Sequence, residues 1–191
     1  MNNYEYIIAS LPLVSLSNRT LPDTDAIIEE IRSRLDERDA DTLDFILSIY
    51  QEGNEPEAFY RKAAESKSEF IREYFGYDLN VKNTKVEFLN KALGRPEGTD
   101  VVLPSEDEFE DRQKILEILS GKDILARERA LDDTMWNKAD ELTVLHVFDL
   151  DVILGFVVRL KTIDRWTRLD ESTGREFFRK LVNEIRNNRE I

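Results

Sequence analysis

Cysteine is absent from this 191-residue chain, and histidine occurs once, as His146. Without cysteine there is no disulfide framework and no thiolate metal site, a composition that suits a reducing cytosol. Catalytic arrangements that depend on histidine could be built only around His146. This residue lies between Val144–Leu145 and Val147–Phe148, with no nucleophile signature beside it. We therefore predict a packing or capping histidine and no catalytic residue.

Metal ligands are equally scarce. Zinc sites need more histidine or cysteine than the chain contains. Di-iron bundles use Glu-x-x-His pairs, but the nearest acid before His146 is Glu141, five residues away. The acidic run SEDEFED at residues 105–111 could hold Mg²⁺ or Ca²⁺, but carboxylates at the start of a helix are also what the helix dipole favours. We expect a structural role for this run, and neither a metal nor a cofactor.

Long apolar runs and an excess of positive charge are also lacking. The longest apolar run, VILGFVV at residues 152–158, is far shorter than the roughly 18 residues that a membrane span requires. The start MNNYEYIIASLPL has no basic region typical of a signal peptide. A net charge of −13 repels phosphate backbones, and no basic stripe offsets it. We expect a cytoplasmic protein that binds no nucleic acid.

The pattern that is present is that of amphipathic helices. Glycine and proline are few, and apolar residues recur at helical spacing over most of the chain. Residues 150–169 are apolar on more than one side, which is typical of a helix at the centre of a bundle. We predict an all-α, multi-helix bundle in a single domain over residues 1–191, with two sub-units at about residues 20–98 and 105–191. A final helix is predicted from the stripe Phe177, Phe178, Leu181, Val182 and Ile185.

Several residues predict where elements begin or end. Residues 4–16, YEYIIASLPLVSL, contain β-branched and aromatic side chains and Pro12, so we predict a short extended N-terminal arm. Pro56 suits the first turn of a helix, and Ser105 with Glu108 forms a capping-box pattern. Gly76 either kinks one long helix or divides two.

A short phrase occurs twice, as YDLNV at residues 77–81 and FDLDV at 148–152. Superposing residues 66–93 on 137–164 without gaps aligns the two phrases and much of the apolar pattern, which favours a duplicated helical unit over convergence. Each aspartate could cap a helix, with the preceding aromatic residue packing as a hydrophobic staple. The predicted helix-entry residues are Tyr77, Asp78, Asn80, Phe148, Asp149 and Asp151.

The two tryptophans are candidates for contact with a partner. Trp136 and Trp166, the latter beside Arg165, could be interface anchors, because tryptophan and arginine are enriched at binding hot spots. Each tryptophan also falls near a helical stripe, so a place in the core is the alternative.

Three segments carry a resemblance to a known family. They are the opening YEYIIASLPLVSL, FYRKAAESKSEFIREYFGYDLNVKN, and RERALDDTMWNKADELTVLHVFDLDVILGFVVRLKTIDRWTRLDESTGREFFRKLV. Together they resemble a bacterial family of unknown function whose members are encoded beside the subunits of V-type ATPases. That family is similar to the C component, also called d, of rotary V/A-type ATPases, a helical protein built from pseudo-repeated bundles.

The resemblance implies a non-catalytic subunit that links the central stalk to the membrane rotor ring and transmits torque for ion transport. It implies a cytoplasmic location, peripheral to the inner membrane through partner subunits, and a monomer when the chain is expressed alone. The chain is shorter than the C component and holds two repeats where that protein has three, which implies a reduced socket or one completed by a partner. Composition alone equally supports a helical adaptor or regulator outside any ATPase, and the acidic run leaves a metal-dependent enzyme as a further alternative.

Overall fold

The computed structural model describes residues 3–16, 23–104 and 108–168. Within these ranges the chain forms eight helices and no strand, so the all-α prediction is confirmed. The helix predicted over residues 177–185 lies outside the described residues. The helices are α1 Tyr4–Ser10, α2 Thr24–Arg34, α3 Glu37–Ser48, α4 Pro56–Ala64, α5 Glu69–Leu93, α6 Arg112–Leu119, α7 Ile124–Thr143 and α8 Leu150–Arg168.

Helix α8 lies at the centre of the described bundle, as its apolar sequence predicts. It contacts α1, α2, α5 and α7. Because neighbours surround it on several sides, five of its side chains are fully inaccessible to solvent, and each contributes about 1.5–3 kcal/mol by burial. These side chains are Ile153, Leu154, Val157, Val158 and Leu160.

Helix α5 is continuous over 25 residues, so Gly76 does not divide it. Its first half buries Phe70, Tyr74 and Phe75, and these apolar positions carry the helix through the glycine. Gly94 ends the helix in the left-handed conformation, with φ of +64°, a conformation that glycine adopts without strain.

The loop that follows α5 is anchored by two buried asparagines of that helix. Asn83 Nδ2 donates to the Leu103 carbonyl at 2.7 Å, and Asn90 Nδ2 donates to the Thr99 carbonyl at 2.6 Å. Both side chains are almost fully buried, so each hydrogen bond satisfies a group that would otherwise be costly to bury. The loop is thereby held against the side of the bundle.

The predicted extended arm is wrong for residues 4–10, which form helix α1. The Asn3 side chain accepts a hydrogen bond from the Tyr6 backbone N–H at 3.1 Å and so caps the helix. Ile7 is 1% exposed and packs in the core. Pro12 follows the end of α1 and therefore does not interrupt it. Extended backbone begins only at Leu11.

Two predicted helix starts have different outcomes. Pro56 is the first residue of α4, as predicted. Helix α6 begins at Arg112, so Glu108 precedes the helix and is not part of its first turn. Ser105, the other half of the predicted capping box, lies outside the described residues.

Candidate interaction surface

The segment between α7 and α8, residues 144–149, is called here the α7–α8 loop. Four of its side chains are apolar and largely exposed: Val144 at 74%, Leu145 at 90%, Val147 at 63% and Phe148 at 52%. Contiguous apolar side chains in solvent are uncommon and mark sites of interaction. Helix α7 ends at Thr143, so none of these four side chains lies on its apolar face.

His146 stands in the middle of this loop and is exposed, so it does not pack in the core. Its Nδ1 lies 2.5 Å from Asp149 Oδ2, and this hydrogen bond raises the pKa of His146 above its ordinary value. Asp149 Oδ1 accepts the backbone N–H of Val152 at 3.3 Å, which confirms Asp149 as the cap of α8. The histidine therefore supports the residue that caps the helix.

Carboxylates gather at the base of the loop, where the N-termini of α5 and α8 meet. Ser68, the cap of α5, donates through Oγ to Asp151 Oδ1 at 3.3 Å. Burial raises the pKa of Asp151, and the neighbouring charge of Asp149 adds to this effect. Glu69, the first residue of α5, is exposed. The positive ends of the two helix dipoles favour this accumulation of negative charge.

The predicted helix entry at residues 77–81 is wrong. Tyr77, Asp78 and Asn80 lie inside α5, whereas Asp149 starts a new helix. Asp78 accepts hydrogen bonds from the Tyr60 hydroxyl at 2.5 Å and from Lys82 Nζ at 2.8 Å. Tyr77 donates its hydroxyl to Asp111 at 2.5 Å, a contact between α5 and the start of α6.

The two halves of the proposed repeat therefore differ locally. Residues 73–78 are helical, whereas the aligned residues 144–149 form the α7–α8 loop. The reason is burial: Tyr74 and Phe75 pack in the core and continue the helix, whereas the aligned Leu145 and His146 face solvent. A similar phrase thus serves as mid-helix sequence in one segment and as a helix start in the other.

Trp166 joins α8 to α7. Its Nε1 donates to Oδ2 of Asp132, and the same oxygen accepts a hydrogen bond from Arg165. Asp132 is 7% exposed, and this burial raises its pKa, while the positive charge of Arg165 opposes the shift. The Arg129 guanidinium lies 4.7 Å from the centroid of the Trp166 ring, a cation–π contact.

Trp136 has a similar environment nearer to the loop. The Arg159 guanidinium of α8 lies 5.6 Å from the Trp136 ring centroid and forms an ion pair with Asp140 of α7. Both tryptophans are partly buried, and Arg165 is exposed. The tryptophans thus hold α7 and α8 together, and a role for them or for Arg165 in partner contact stays a prediction.

A second exposed apolar site lies at the other end of α7. Ile124 is 66% exposed and Leu125 is 65% exposed, in the first turn of the helix, which Asp123 caps. At 1.5 Å per residue, the 20 residues of α7 separate this site from the α7–α8 loop by about 30 Å. The two ends of α7 therefore both present apolar side chains to solvent.

The described residues show no arrangement that would indicate a metal centre or a membrane span. Across residues 3–16, 23–104 and 108–168, no three His, Cys, Asp or Glu side chains lie together as a metal site requires. None of the helices in these ranges is long and apolar enough to cross a bilayer. Part of the acidic run at 105–111 lies outside the described residues.

The described fold is an all-α bundle that exposes apolar side chains at both ends of α7. The model of one protein family matches residues 100–189, and this family is described as a protein of unknown function, DUF2764. The matched segment contains α6, α7, α8 and the α7–α8 loop. No curated protein and no solved structure matches the chain.

The α7–α8 loop is the feature that sequence reasoning missed. Its signal was present in the sequence VLHVF at residues 144–148, where four of five consecutive residues are apolar. One face of a helix cannot bury four such neighbours, so the run indicates either burial on all sides or exposure. Only the packing of the neighbouring helices distinguishes these two outcomes.

Proposed function

We propose that the protein is a non-catalytic subunit that joins two other proteins, and that its assembly is a rotary V-type ATPase. In that assembly it links the central stalk to the membrane rotor ring and transmits torque. The observation that carries the proposal is the presence of exposed apolar side chains at both ends of α7, about 30 Å apart. The sequence resemblance to the C component of rotary ATPases supports the choice of assembly.

A connector must hold its two ends at a constant separation, and the α7–α8 pair has contacts suited to this. Arg159 ties α8 to α7 through Asp140, and Trp166 does so through Asp132. Gly155 allows a close approach, because a side chain at this position would meet Thr143 of α7. Dense packing of this kind resists deformation and so transmits force between the ends.

The test is affinity purification of the tagged full-length chain from its native host at low salt. We expect stalk and ring subunits of the V-type ATPase to accompany the wild-type chain. Replacing Leu145 and Phe148 by serine should release one set of subunits, and replacing Ile124 and Leu125 by serine should release the other. Leu93→Ser, at an exposed leucine outside α7, is the matched control and should release neither.

Recovery of the chain from native membranes free of ATPase subunits would contradict the proposal. An adaptor outside any ATPase would instead bring a different partner through the same surfaces. A metal-dependent enzyme would lose thermal stability when a chelator is added, because a bound metal stabilises the folded state.

A further inference from the structure

We propose that the α7–α8 loop inserts into an apolar groove of a partner protein whose rim carries lysine or arginine. This inference rests on the proposed function, in that it assigns the chemistry of the partner at one end of the connector. It follows from the apolar side chains of the loop together with the charge at its base.

The apolar component is the larger part of the exposed loop. Val144, Leu145, Val147 and Phe148 are each more than half exposed, and Leu145 at 90% is almost as accessible as in an unfolded chain. Each large apolar side chain that a partner buries contributes favourably by removing its surface from water. A complementary site must therefore offer an apolar depression.

The charge at the base of the loop selects the rim of that depression. Three carboxylates act electrostatically on His146. Two of them, Asp149 and Asp151, lie at the N-terminus of α8, and the third, Glu69, lies at the N-terminus of α5. The cations Lys138 and Arg159 are already paired, with Glu141 and Asp140 respectively. Lys67 is exposed beside Ser68, and Arg72 donates to the Ser66 carbonyl, so the three carboxylates outnumber these two cations. The base of the loop therefore presents negative charge that lysine or arginine on a partner would complement.

The same charges argue against two other occupants. An anionic membrane surface would be repelled by carboxylates at the base of the loop. A second copy would carry the same net charge of −13, so the two chains would repel each other. A different protein with basic residues around an apolar groove avoids both penalties.

Site-specific photocrosslinking in the native host tests the inference. Benzoylphenylalanine replaces Leu145 in the full-length chain, and in a control chain it replaces Leu93, which is 67% exposed and lies at the end of α5. The crosslinked peptides are identified by mass spectrometry. We expect the probe at 145 to label one protein, at an apolar segment with lysine or arginine within a few residues, and the probe at 93 to label that protein at least threefold less.

Charge reversal tests the basic rim separately. Glu69→Lys should lower the yield of the crosslink from position 145 at least threefold, and raising the salt concentration should lower it as well, because both weaken attraction between opposite charges. Glu97→Lys reverses an exposed carboxylate on the loop after α5 and should leave the yield unchanged. Neither substitution removes a cap or a buried side chain, so folding should persist in both.

Each outcome decides the inference. Crosslinks to a second copy, to lipid, to a segment without basic residues, or to nothing would overturn it, as would a yield insensitive to Glu69→Lys. If the labelled protein fits but is not an ATPase subunit, the inference stands and the assignment to an ATPase fails. If ATPase subunits accompany the chain but the probe at 145 labels no protein, the proposed function stands and this inference fails.

Discussion

Helices α7 and α8 approach each other closely at Gly155. We expect replacement of this glycine by alanine to lower the free energy of unfolding, and a second substitution at Thr143 to reverse that effect. A Cβ added to Gly155 would lie 2.6 Å from Thr143 Cγ2, well inside van der Waals contact. The Thr143 side chain cannot easily turn away, because it is β-branched and its Oγ1 donates to the Ala139 carbonyl at 2.8 Å. We therefore expect Gly155→Ala to force the two helices apart.

Two opposing effects set the magnitude. Alanine is preferred over glycine in a helix interior by about 1 kcal/mol, whereas overpacking a core contact costs about 1–3 kcal/mol. The expected result is a free energy of unfolding lowered by about 1 kcal/mol, the middle of the difference between these ranges. Gly76→Ala is the matched control, since Gly76 is also helical but has nothing within 4 Å of an added Cβ. It should raise the free energy of unfolding by about 0.5–1 kcal/mol.

Thr143→Ser removes the clashing methyl group and keeps the hydroxyl that binds Ala139. In that background, Gly155→Ala meets only Phe70 Cε2 at 3.6 Å and the Cβ of residue 143 at 3.7 Å, which are ordinary contacts. The alanine should then stabilise the protein by about 0.5–1 kcal/mol, so the two substitutions should couple by about 2 kcal/mol.

Urea unfolding followed by far-UV circular dichroism measures all five proteins: wild type, Gly155→Ala, Thr143→Ser, the double variant and Gly76→Ala. Equal effects of Gly155→Ala in the two backgrounds would refute the reasoning. So would an increase in stability for Gly155→Ala alone.

Three further predictions concern other described contacts. Because the hydrogen bond to Asp149 raises the pKa of His146, the histidine contributes stability that is present below its unfolded-state pKa of about 6.5 and is lost as the pH rises through the folded-state pKa. An NMR titration of this single histidine should show a lower pKa in Asp149→Asn, and an unchanged pKa would contradict the assignment. Asp132→Ala should lower the free energy of unfolding by about 1–2 kcal/mol, a value kept modest because its partner Arg165 is half exposed. Asp133→Ala, at the exposed neighbour, is the control and should change the free energy of unfolding by less than about 0.5 kcal/mol. Equal losses would argue against the buried carboxylate as the cause. Asn90→Ala should free the loop after α5 and speed its cleavage after Glu97 by a glutamate-specific protease several-fold relative to Asn54→Ala. Equal cleavage rates would exclude Asn90 as the anchor of the loop.

The positions of several helices followed from local patterns. Pro56 begins α4, and the apolar residues of 150–168 form a central helix, because a side chain buried on every side needs an apolar sequence on every side. Asp149 caps α8 as predicted, since capping depends on atoms only two or three residues away. Such features need no knowledge of the rest of the chain.

The sequence predictions that proved wrong concern residues whose conformation depends on contacts with distant parts of the chain. Residues 4–10 have an ambiguous apolar pattern, and their packing through Ile7 against the core, together with the Asn3 cap, selects the helix. Asp78 and Asp149 occupy similar phrases, but only the first is preceded by aromatic residues that the bundle buries. The candidate surface was missed for the same reason, because exposure of an apolar side chain is a property of its neighbours.

The amino-acid order alone therefore determined the helical class, the central helix and the scarcity of chemistry that histidine and cysteine would supply. These depend on composition and on periodicity within one helix. Tertiary structure alone decided that α5 continues past Gly76, that α7 stops at Thr143 and that residues 144–148 face solvent. Each of these outcomes depends on whether residues far away in the chain cover a given side chain, and burial by distant residues cannot be read from a local pattern.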